Sequence, residues 1–469
     1  AWTGLLPIVI LAAAAVLLLT ICPLFPDRIT TKLLSIYTAL ASLAALITTF
    51  PLWGKVQNSS EGPYSTLAGA FGVDGFSLFV TMLLSIIVII VCPLLSTFLE
   101  RENVSGPEPY VLLLLAATGG MIMSGANDFI ILFLGIEVLS ISSYILVAMN
   151  SRRIQSQEAG LKYFILGAFA SGFLLYGIAL LYGATGSTSF TAIKAFTQQV
   201  ELTNDALLLA ALALLIVGLA FKVAAVPFHF WSPDVYQGSP TPFVAFMASA
   251  VKVSGFAAIL RVLYVTLGEY RADWQPVIYA IAIATLLTGS LLAIVQTDLK
   301  RMLAYSSISH AGYLLVGTQA ASDQGVKAVL FYLATYAFMV IGSFTVVAIN
   351  AGKSGTETSL DSIAGLATKK PLLAISFTIF LLGQAGIPLT SGFFAKFYVI
   401  EAAIEEKSYM LAVIAMIAAV IGAFLYLRIL VKIWLSQPTD QEDSAKLTIP
   451  FEIGLVLVIS VIATMFLGI

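Results

Sequence analysis

Six charged side chains lie inside stretches of the sequence that are otherwise apolar: the carboxylate Glu137 and the basic residues Lys162, Lys222, Lys252, Lys396 and Arg428. A charge at the centre of a lipid bilayer costs about 2.5–3.5 kcal/mol on insertion scales, so each must be paired, hydrated or close to a helix end. Acidic and basic groups at similar depth are also the side chains that proton transfer through a membrane requires.

The depth of each charge in its predicted helix indicates whether the side chain can reach water or a local partner, or needs a functional explanation. Glu137 and Lys252 lie ten and eleven residues into their predicted helices, which places both near the midplane. Arg428 is close to a predicted cytoplasmic helix end, from which its head group can reach water. Lys162 follows Glu158 by four residues, so a structural ion pair along one helix and a functional role are both supported.

Two of the lysines lie beside prolines, Lys222 before Pro227 and Lys396 after Pro388. A proline in a membrane-spanning helix frees carbonyl groups, and such broken helices often line water-filled cavities or ion sites. A simple kink is the alternative. A hydrated break is also what a buried ammonium group needs, so the lysine beside each break favours the functional interpretation.

The two histidines, His229 and His310, titrate closest to neutral pH. Neither has a Cys, His, Asp or Glu at a spacing typical of metal ligands, so we expect no metal site. An isolated histidine in a membrane helix is usually a hydrogen-bonded packing residue. Together with the glutamate and the lysines, however, the histidines complete the groups that a proton relay needs.

The composition identifies an integral membrane protein. Charged residues make up 10% of the 469, apolar residues make up 59%, and the mean hydropathy is +1.00. A soluble domain carries roughly a quarter charged residues, so the aqueous globular class is excluded. A net charge of -2 gives no basic surface for nucleic acid, and two dispersed cysteines, Cys22 and Cys92, are too few for an iron–sulfur cluster.

The apolar stretches predict an all-α fold of about 14 transmembrane helices joined by short polar connectors, the longest being 51–73, 184–204, 351–370 and 436–446. The predicted helices span 3–22, 30–50, 74–98, 109–123, 127–149, 157–183, 205–226, 241–266, 275–297, 301–320, 324–350, 371–405, 408–435 and 447–468. No connector is large enough for a separate soluble catalytic domain. The first stretch has no basic flank or cleavage site and the chain begins without Met, so we expect a true helix of a trimmed chain and no signal peptide.

The basic residues predict the orientation in the membrane. Connectors after odd-numbered helices hold 12 basic residues and the other connectors hold 6, among which we count Arg261 near the end of the eighth predicted helix. By the positive-inside rule the odd connectors face the cytoplasm, which places both termini on the non-cytoplasmic side. The chain shows no dinucleotide fingerprint, nucleophile elbow or haem-ligand pair, so neither an ATP-driven pump nor a carrier of a redox cofactor is favoured.

Four segments together resemble one family: 134–140 (LGIEVLS), 158–164 (EAGLKYF), 221–238 (FKVAAVPFHFWSPDVYQG) and 386–396 (GIPLTSGFFAK). They are similar to the antiporter-like N subunits of proton-pumping NADH:quinone oxidoreductase, respiratory complex I. The resemblance extends from about predicted helix 3 to helix 13, and the stretch with proline, histidine and tryptophan is its most specific part.

The resemblance implies two five-helix repeats of inverted topology, helices 4–8 and 9–13, with helices 7 and 12 broken near Pro227 and Pro388. The implied organisation is 1–108 for helices 1–3, 109–266 for the first repeat, 267–436 for the second repeat and 437–469 for the last helix. The implied proton relay consists of Glu137, Lys162, Lys222, Lys252 and Lys396, with His229 and His310 as further members.

The resemblance also implies which chemistry lies outside this chain. FMN, iron–sulfur clusters and quinone would be bound by partner subunits, and no cofactor by this one. The expected partners are the other antiporter-like and small membrane subunits, the peripheral NADH-oxidising arm and lipids, in a bacterial inner membrane. Because quinone reduction in the partners would supply the energy, we treat the chain as the translocating part of an enzyme.

Two alternatives stay open from the sequence. Mrp-type cation/proton antiporters and membrane-bound hydrogenases share the fold, although a cation antiporter needs an oxygen-rich site and Glu137 is the one deep carboxylate. A non-conducting scaffold, whose polar residues only join helices, is the second. The relay hypothesis predicts that Glu137, Lys222, Lys252, His310 and Lys396 form one hydrated row near the midplane, because a shared polar channel hydrates all five groups.

Overall fold

The structure is a computed structural model that describes residues 2–25, 29–58, 62–199, 206–351, 357–437 and 449–468. The helices up to the first interruption are α1 (Leu6–Ile21), α2 (Thr31–Gln57), α3 (Gly75–Glu102), α4 (Glu108–Gly125), α5 (Phe129–Ala148), α6 (Ile154–Thr185), α7 (Phe190–Gln199) and α8 (Ala206–Lys222). The later helices are α9 (Trp231–Gly238), α10 (Thr241–Phe246), α11 (Lys252–Leu260), α12 (Arg271–Ile294), α13 (Leu299–Gln319), α14 (Asp323–Asn350), α15 (Leu366–Lys369), α16 (Pro371–Ala385), α17 (Ser391–Glu405), α18 (Tyr409–Leu435) and α19 (Phe451–Phe466).

Ten helices of the described ranges are long and apolar enough to cross a membrane, so the chain is a multi-pass membrane protein. One of the ten, Thr241–Thr266, combines α10 and α11 with two π-helical segments, Met247–Val251 and Arg261–Thr266. Three shorter apolar helices, α8, α16 and α19, add to these ten. The total of 14 spans remains a prediction, as does the orientation, and Arg28, Lys353 and Lys446 of the basic-residue count lie outside the described ranges.

Both interruptions that the prolines predict are present. The first separates α8, which ends at Lys222, from α9, which begins at Trp231. The second separates α16 from α17 and begins at Gly386, whose φ of 85° is left-handed. A Cβ at this position would lie 2.9 Å from Cδ of Lys396, so both the backbone conformation and the close lysine favour glycine.

Three features differ from the predicted pattern of helices and plain connectors. The connector 51–73 contains an antiparallel hairpin of Tyr64–Thr66 and Phe71–Val73, so the fold is not purely α-helical. Helix α2 continues through Pro51 to Gln57, because its overall apolar stretch outweighs one proline. The connector 184–204 contains the short helix α7, whose apolar residues are too few to span a membrane.

The chain divides into two compact units, which we describe separately. The first contains 1–223 and 250–274, and the second contains 224–249 and 275–469. In the first unit α4 packs between α1, α3 and α5, and α6 packs along α8. In the second unit α14 is central and contacts α10, α13, α16, α17 and α19. The predicted division at 108, 266 and 436 remains a prediction.

One hydrogen-bond motif occurs in both units. Asp128 caps the start of α5, and its second carboxylate oxygen accepts a hydrogen bond from Thr188, 60 residues later, at 2.7 Å. Asp298 caps α13 in the same way and accepts from Thr358, which is also 60 residues later. The recurrence is what a repeated fold predicts, while the inverted topology itself remains a prediction.

This motif generates a prediction for Asp298, which caps the helix that carries His310. We expect Asp298→Ala to destabilise the protein by about 1 kcal/mol or more, because both the cap and the acceptor for Thr358 are lost. Asp298→Asn keeps a capping oxygen and should have a much smaller effect. Thermal unfolding of the purified protein measures both, and equal unfolding temperatures for the Ala and Asn variants would contradict the capping role.

Candidate functional site

Lys222 is the last residue of α8 and is buried, with 6% of its surface exposed. Its ammonium Nζ donates a hydrogen bond to Oγ of Ser140 at 2.7 Å. Ser140 in turn donates to the carbonyl of Ile136 at 2.5 Å, so its hydroxyl is oriented to accept from the lysine. The interruption after α8 therefore ends the helix where its terminal lysine contacts α5.

Glu137 lies on α5 one turn before Ser140 and is half-buried. Its carboxylate accepts a 2.5 Å hydrogen bond from Ser171 of α6 and lies one turn from the Ser140 hydroxyl that Lys222 contacts. No direct ion pair joins Glu137 and Lys222 among the residues that the structure describes. Because each group has its own hydroxyl partner, the charges can approach or separate without leaving either group unsatisfied.

Lys252 is 4% exposed and begins α11 directly after the π-helical segment Met247–Val251. Gly255, one turn later, allows α11 to pass close to the end of α8: a Cβ there would lie 3.6 Å from Cγ of Lys222. Single-turn π segments are frequent at functional sites because they release part of the regular hydrogen-bond ladder. Lys222 and Lys252 are therefore on closely packed helices of the first unit.

Lys162 differs from the other lysines because 44% of its side chain is exposed. Its ammonium forms a 2.8 Å ion pair with Glu158, one turn earlier on α6. The structural pair that the spacing predicts is thus present. The structure places Lys162 on the surface of this chain and not among its buried lysines.

Lys396 lies on α17 in the second unit and is 8% exposed. It donates a 2.9 Å hydrogen bond to the carbonyl of Ala385, the last residue of α16, and lies 4.8 Å from the ring centre of Tyr313. A cation at the carbonyl end of a helix and over an aromatic ring is favourable in both contacts. The helix end at the second break therefore provides a carbonyl group that stabilises the charged form of Lys396.

His310 lies in the middle of α13 and is surrounded by tyrosines. Its Nδ1 shares a 2.6 Å hydrogen bond with the hydroxyl of Tyr332, and its Nε2 shares a 3.2 Å bond with that of Tyr426. The Tyr426 hydroxyl also pairs with Ser306 at 2.6 Å. Both nitrogens of the buried ring are thus satisfied by hydroxyls, which can donate or accept.

A small cavity of about 10 Å³ connects these groups in the second unit, a volume that suits about one water molecule. Its polar lining includes Ser290, Ser306, Ser309, His310, Lys396 and Tyr426. The structure therefore brings His310 and Lys396 to one polar cavity. In the first unit it places Lys222 against Ser140, one turn from Glu137, and Lys252 on a helix that packs against the end of α8. A continuous row through both units remains a prediction.

His229 lies in the segment between α8 and α9 and is 4% exposed. Its ring packs beside Phe230 at 4.4 Å, and its Nδ1 has no hydrogen-bond partner among the described residues. The sequence motif places this histidine at the break, as the structure does. Its membership in a relay remains a prediction.

The sequence analysis missed a buried ion pair of Arg261. The count of 6 basic residues in the connectors after even-numbered helices includes this arginine, which is wrong, because it lies inside the helix Thr241–Thr266 and is 5% exposed. It binds both carboxylate oxygens of Asp74 at 2.6 and 2.8 Å and donates to the carbonyl of Ser124 at 2.8 Å. The two charges are 187 residues apart, so no local pattern indicates their pairing.

Basic side chains also bind helix ends in the second unit. Lys300 donates to the carbonyl of Ser239, the C-cap of α9, at 2.5 Å, and Arg301 pairs with Asp234 of α9 at 2.6 Å. Arg428 donates at 2.5 Å to the carbonyl of Ile294, where α12 ends. From the sequence we expect the head group of Arg428 to reach water, whereas in the structure it binds the carbonyl end of a helix.

Known proteins are similar to this chain in sequence and in fold. Residues 126–422 match the family model described as "NADH:quinone oxidoreductase/Mrp antiporter, TM". The chain is 39% identical to NADH-quinone oxidoreductase subunit N 3 of Streptomyces griseus over 100% of this chain and 91% of that protein. It is also similar to a chain of respiratory complex I from Thermus thermophilus, with a TM-score of 0.82, 32% identity, and coverage of 98% of this chain and 96% of that one.

A chain of the Mrp complex from Dietzia has the same fold. The TM-score is 0.84 at 22% identity, over 100% of this chain and 94% of that chain. At this identity the likeness concerns the fold alone. The fold therefore does not separate the two classes of membrane complex, whereas the sequence identity to N subunits does.

The buried ion pair of Arg261 generates a stability prediction. We expect Arg261→Met to destabilise the protein by about 3–5 kcal/mol, because Asp74, whose side chain is only 26% exposed, loses the cation that compensates its charge. The matched control is Lys432→Met, which breaks a 2.6 Å pair with Asp361 whose side chains are 36% and 74% exposed. That change should cost about 0–1 kcal/mol. Unfolding temperature and membrane abundance measure both variants, and equal losses would contradict the prediction.

Proposed function

This chain belongs to the family of NADH-quinone oxidoreductase N subunits, and from this premise we propose that it is the subunit of complex I that translocates protons through a relay of buried Glu, Lys and His side chains. The observation that carries the proposal is the placement of Lys222, Lys252 and Lys396. All three are at most 8% exposed, and two of them lie at helix interruptions. Buried lysines placed in this way are costly for packing alone.

The first unit supplies the acceptor and donor of the first step. When Glu137 and Lys222 are close, the carboxylate stabilises the ammonium, and Lys222 holds its proton. When the pair separates, Glu137 keeps the hydroxyl of Ser171, and the Lys222 proton passes through water to Lys252. The short distance between α8 and α11 supports this order of transfer.

The second unit would receive the proton and release it outward. His310 and Lys396 share one polar cavity there, and the Ala385 carbonyl and the Tyr313 ring stabilise the charged lysine. Lys162 lies on the exposed face of α6, which fits a contact with a neighbouring membrane subunit better than a place in the buried row. His229, at the first break, would extend the relay on that side.

Partner subunits would provide the energy and the redox chemistry. NADH oxidation by FMN and iron–sulfur clusters and the reduction of quinone would take place in those partners, and this chain would move protons in response. The partners would be the other membrane subunits and the NADH-oxidising arm, in a bacterial inner membrane with both termini of this chain non-cytoplasmic. Co-purification of these subunits with this chain tests the assignment.

The alternative functions make different demands on the same residues. A cation/proton antiporter needs several oxygen ligands around a metal ion, whereas the buried charges of the described relay positions are mainly lysines, which repel cations. A non-conducting scaffold needs polar groups that only join helices. Proton uptake that persists without Na⁺ and depends on the buried lysines would exclude both alternatives.

The relay proposal predicts one hydrated row in the assembled complex. Glu137, Lys222, Lys252, His310 and Lys396 should lie near the midplane, with consecutive members separated by gaps that about one to three waters bridge. An experimental structure of the complex that resolves waters provides the measurement. A dry apolar barrier between Lys252 and His310 or Lys396 in every observed conformation would favour the scaffold.

The second prediction concerns Lys222→Ala. We expect NADH-driven proton uptake by membrane vesicles, normalised to assembled complex, to fall by roughly tenfold or more, since a relay group is lost and Glu137 loses its nearby cation. The control is Lys432→Ala, at an exposed ion pair, which should pump like the wild type. Wild-type pumping by assembled Lys222→Ala complex would refute the relay.

A further inference from the structure

The hydrogen bonds around His310 raise the question of how a proton moves between this histidine and Lys396. Lys396 donates a hydrogen bond to the Ala385 carbonyl, and the His310 ring contacts the hydroxyls of Tyr332 and Tyr426. The cavity that Lys396 lines is also lined by His310 and Tyr426. The Tyr426 hydroxyl is therefore in contact with one of the two groups and beside the same cavity as the other.

We propose that Tyr426 is a further relay residue, whose hydroxyl passes protons between His310 and Lys396 with one water in the cavity that all three residues line. The inference rests on the proposed function. Its geometry is fixed by the 3.2 Å contact of the Tyr426 hydroxyl with Nε2 of His310 and by the shared cavity of about 10 Å³. Polar residues such as His310, Lys396 and Tyr426 line that space, and an ordered buried water needs about three polar partners.

The surroundings hold the Tyr426 hydroxyl in position on α18. Ser306 lies 2.6 Å from it, and when Ser306 donates this hydrogen bond the Tyr426 proton is left to point toward the cavity. In the other orientation Ser306 donates to the side-chain oxygen of Gln384 at 3.4 Å. The Gln384 amide donates to Ser343 at 2.7 Å. This chain of contacts connects α13, α18, α16 and α14, so the hydroxyl is fixed from several helices at once.

The transfer is balanced without any other reactant. The Nε2–H bond of the His310 imidazolium breaks as an O–H bond forms on Tyr426, and Tyr426 gives its own proton to the water. The water gives a proton to the neutral amine of Lys396. Three bonds to hydrogen break and three form, and the positive charge moves from His310 to Lys396.

Both ends of this step can hold the charge. The imidazolium donates to two hydroxyl oxygens, those of Tyr332 and Tyr426, and the neutral ring accepts from one of them. The charged Lys396 is stabilised by the carbonyl end of α16 and by the ring of Tyr313. Tyr426 itself stays neutral before and after the step, as a conducting hydroxyl must.

The test uses Tyr426→Phe, which removes one oxygen atom and keeps the ring. We expect the NADH-driven proton uptake of the assembled complex to fall by about tenfold or more. The double variant with Lys396→Met should pump no more slowly than the slower single variant, because residues in series act as one unit. Tyr110→Phe is the control, since it also removes the hydroxyl of a buried tyrosine. That hydroxyl donates to the backbone carbonyl of Thr31 at 3.1 Å, and the variant should pump like the wild type.

The outcomes separate this inference from the proposed function. Wild-type pumping by Tyr426→Phe together with loss in Lys396→Met overturns the inference and leaves the proposed function standing. Wild-type pumping by Lys396→Met overturns both. Losses that add in the double variant indicate two independent effects and also overturn the inference. If Tyr426→Phe does not assemble, a water-resolving structure of the wild-type complex decides: a water within hydrogen-bond distance of both Lys396 Nζ and the Tyr426 hydroxyl supports the inference, and a dry cavity overturns it.

Discussion

The burial of ammonium groups inside apolar helices is the constraint on which the rest of this structure depends. Lys222, Lys252 and Lys396 are each at most 8% exposed in a chain with 10% charged residues. An isolated charge in such surroundings is costly unless nearby groups stabilise it. The groups that stabilise the ammonium differ from one lysine to the next. In each case, however, a helix is interrupted or its regular hydrogen bonding is relaxed near the lysine.

At both breaks a helix ends where an oxygen atom accepts a hydrogen bond from the buried lysine. The end of α16 offers the Ala385 carbonyl to Lys396, and the end of α8 places Lys222 beside the Ser140 hydroxyl. Lys252 follows a π-helical segment, where the regular ladder is also relaxed. These contacts stabilise a charge without fixing it in a tight ion pair, which suits groups that must gain and lose protons.

Much of this arrangement is predictable from the sequence, because the signals are local. Apolar stretches predict the helices, Pro227 and Pro388 predict the breaks, and the i,i+4 spacing predicts the pair of Lys162 and Glu158. The contacts that complete the site are not local. Tyr426 is 116 residues from His310 in sequence, so its hydrogen bond appears only in the folded chain.

The same limit explains the remaining differences. Arg261 stands near the end of an apolar stretch, which is typical of a connector residue, and only the distant Asp74 makes its burial favourable. Arg428 also stands near a helix end, and its carbonyl partners, Ile294 at the end of α12 and Gln296 just after it, are more than 130 residues away. The position of a charged residue along its helix thus predicts its depth in the membrane. Its role depends on the group that it contacts, and tertiary packing determines which group that is.

The central claim is that protons pass between the two helix breaks through the buried lysines of this chain. Lys252 tests it most directly, since it lies between the other two lysines in the proposed order. The measurement is NADH-driven proton uptake by liposomes containing purified complex with Lys252→Met, which keeps most of the side-chain volume and removes the titratable group. The account predicts that uptake per assembled complex falls by roughly tenfold or more, with the subunits still assembled. Uptake equal to that of the wild type would contradict it.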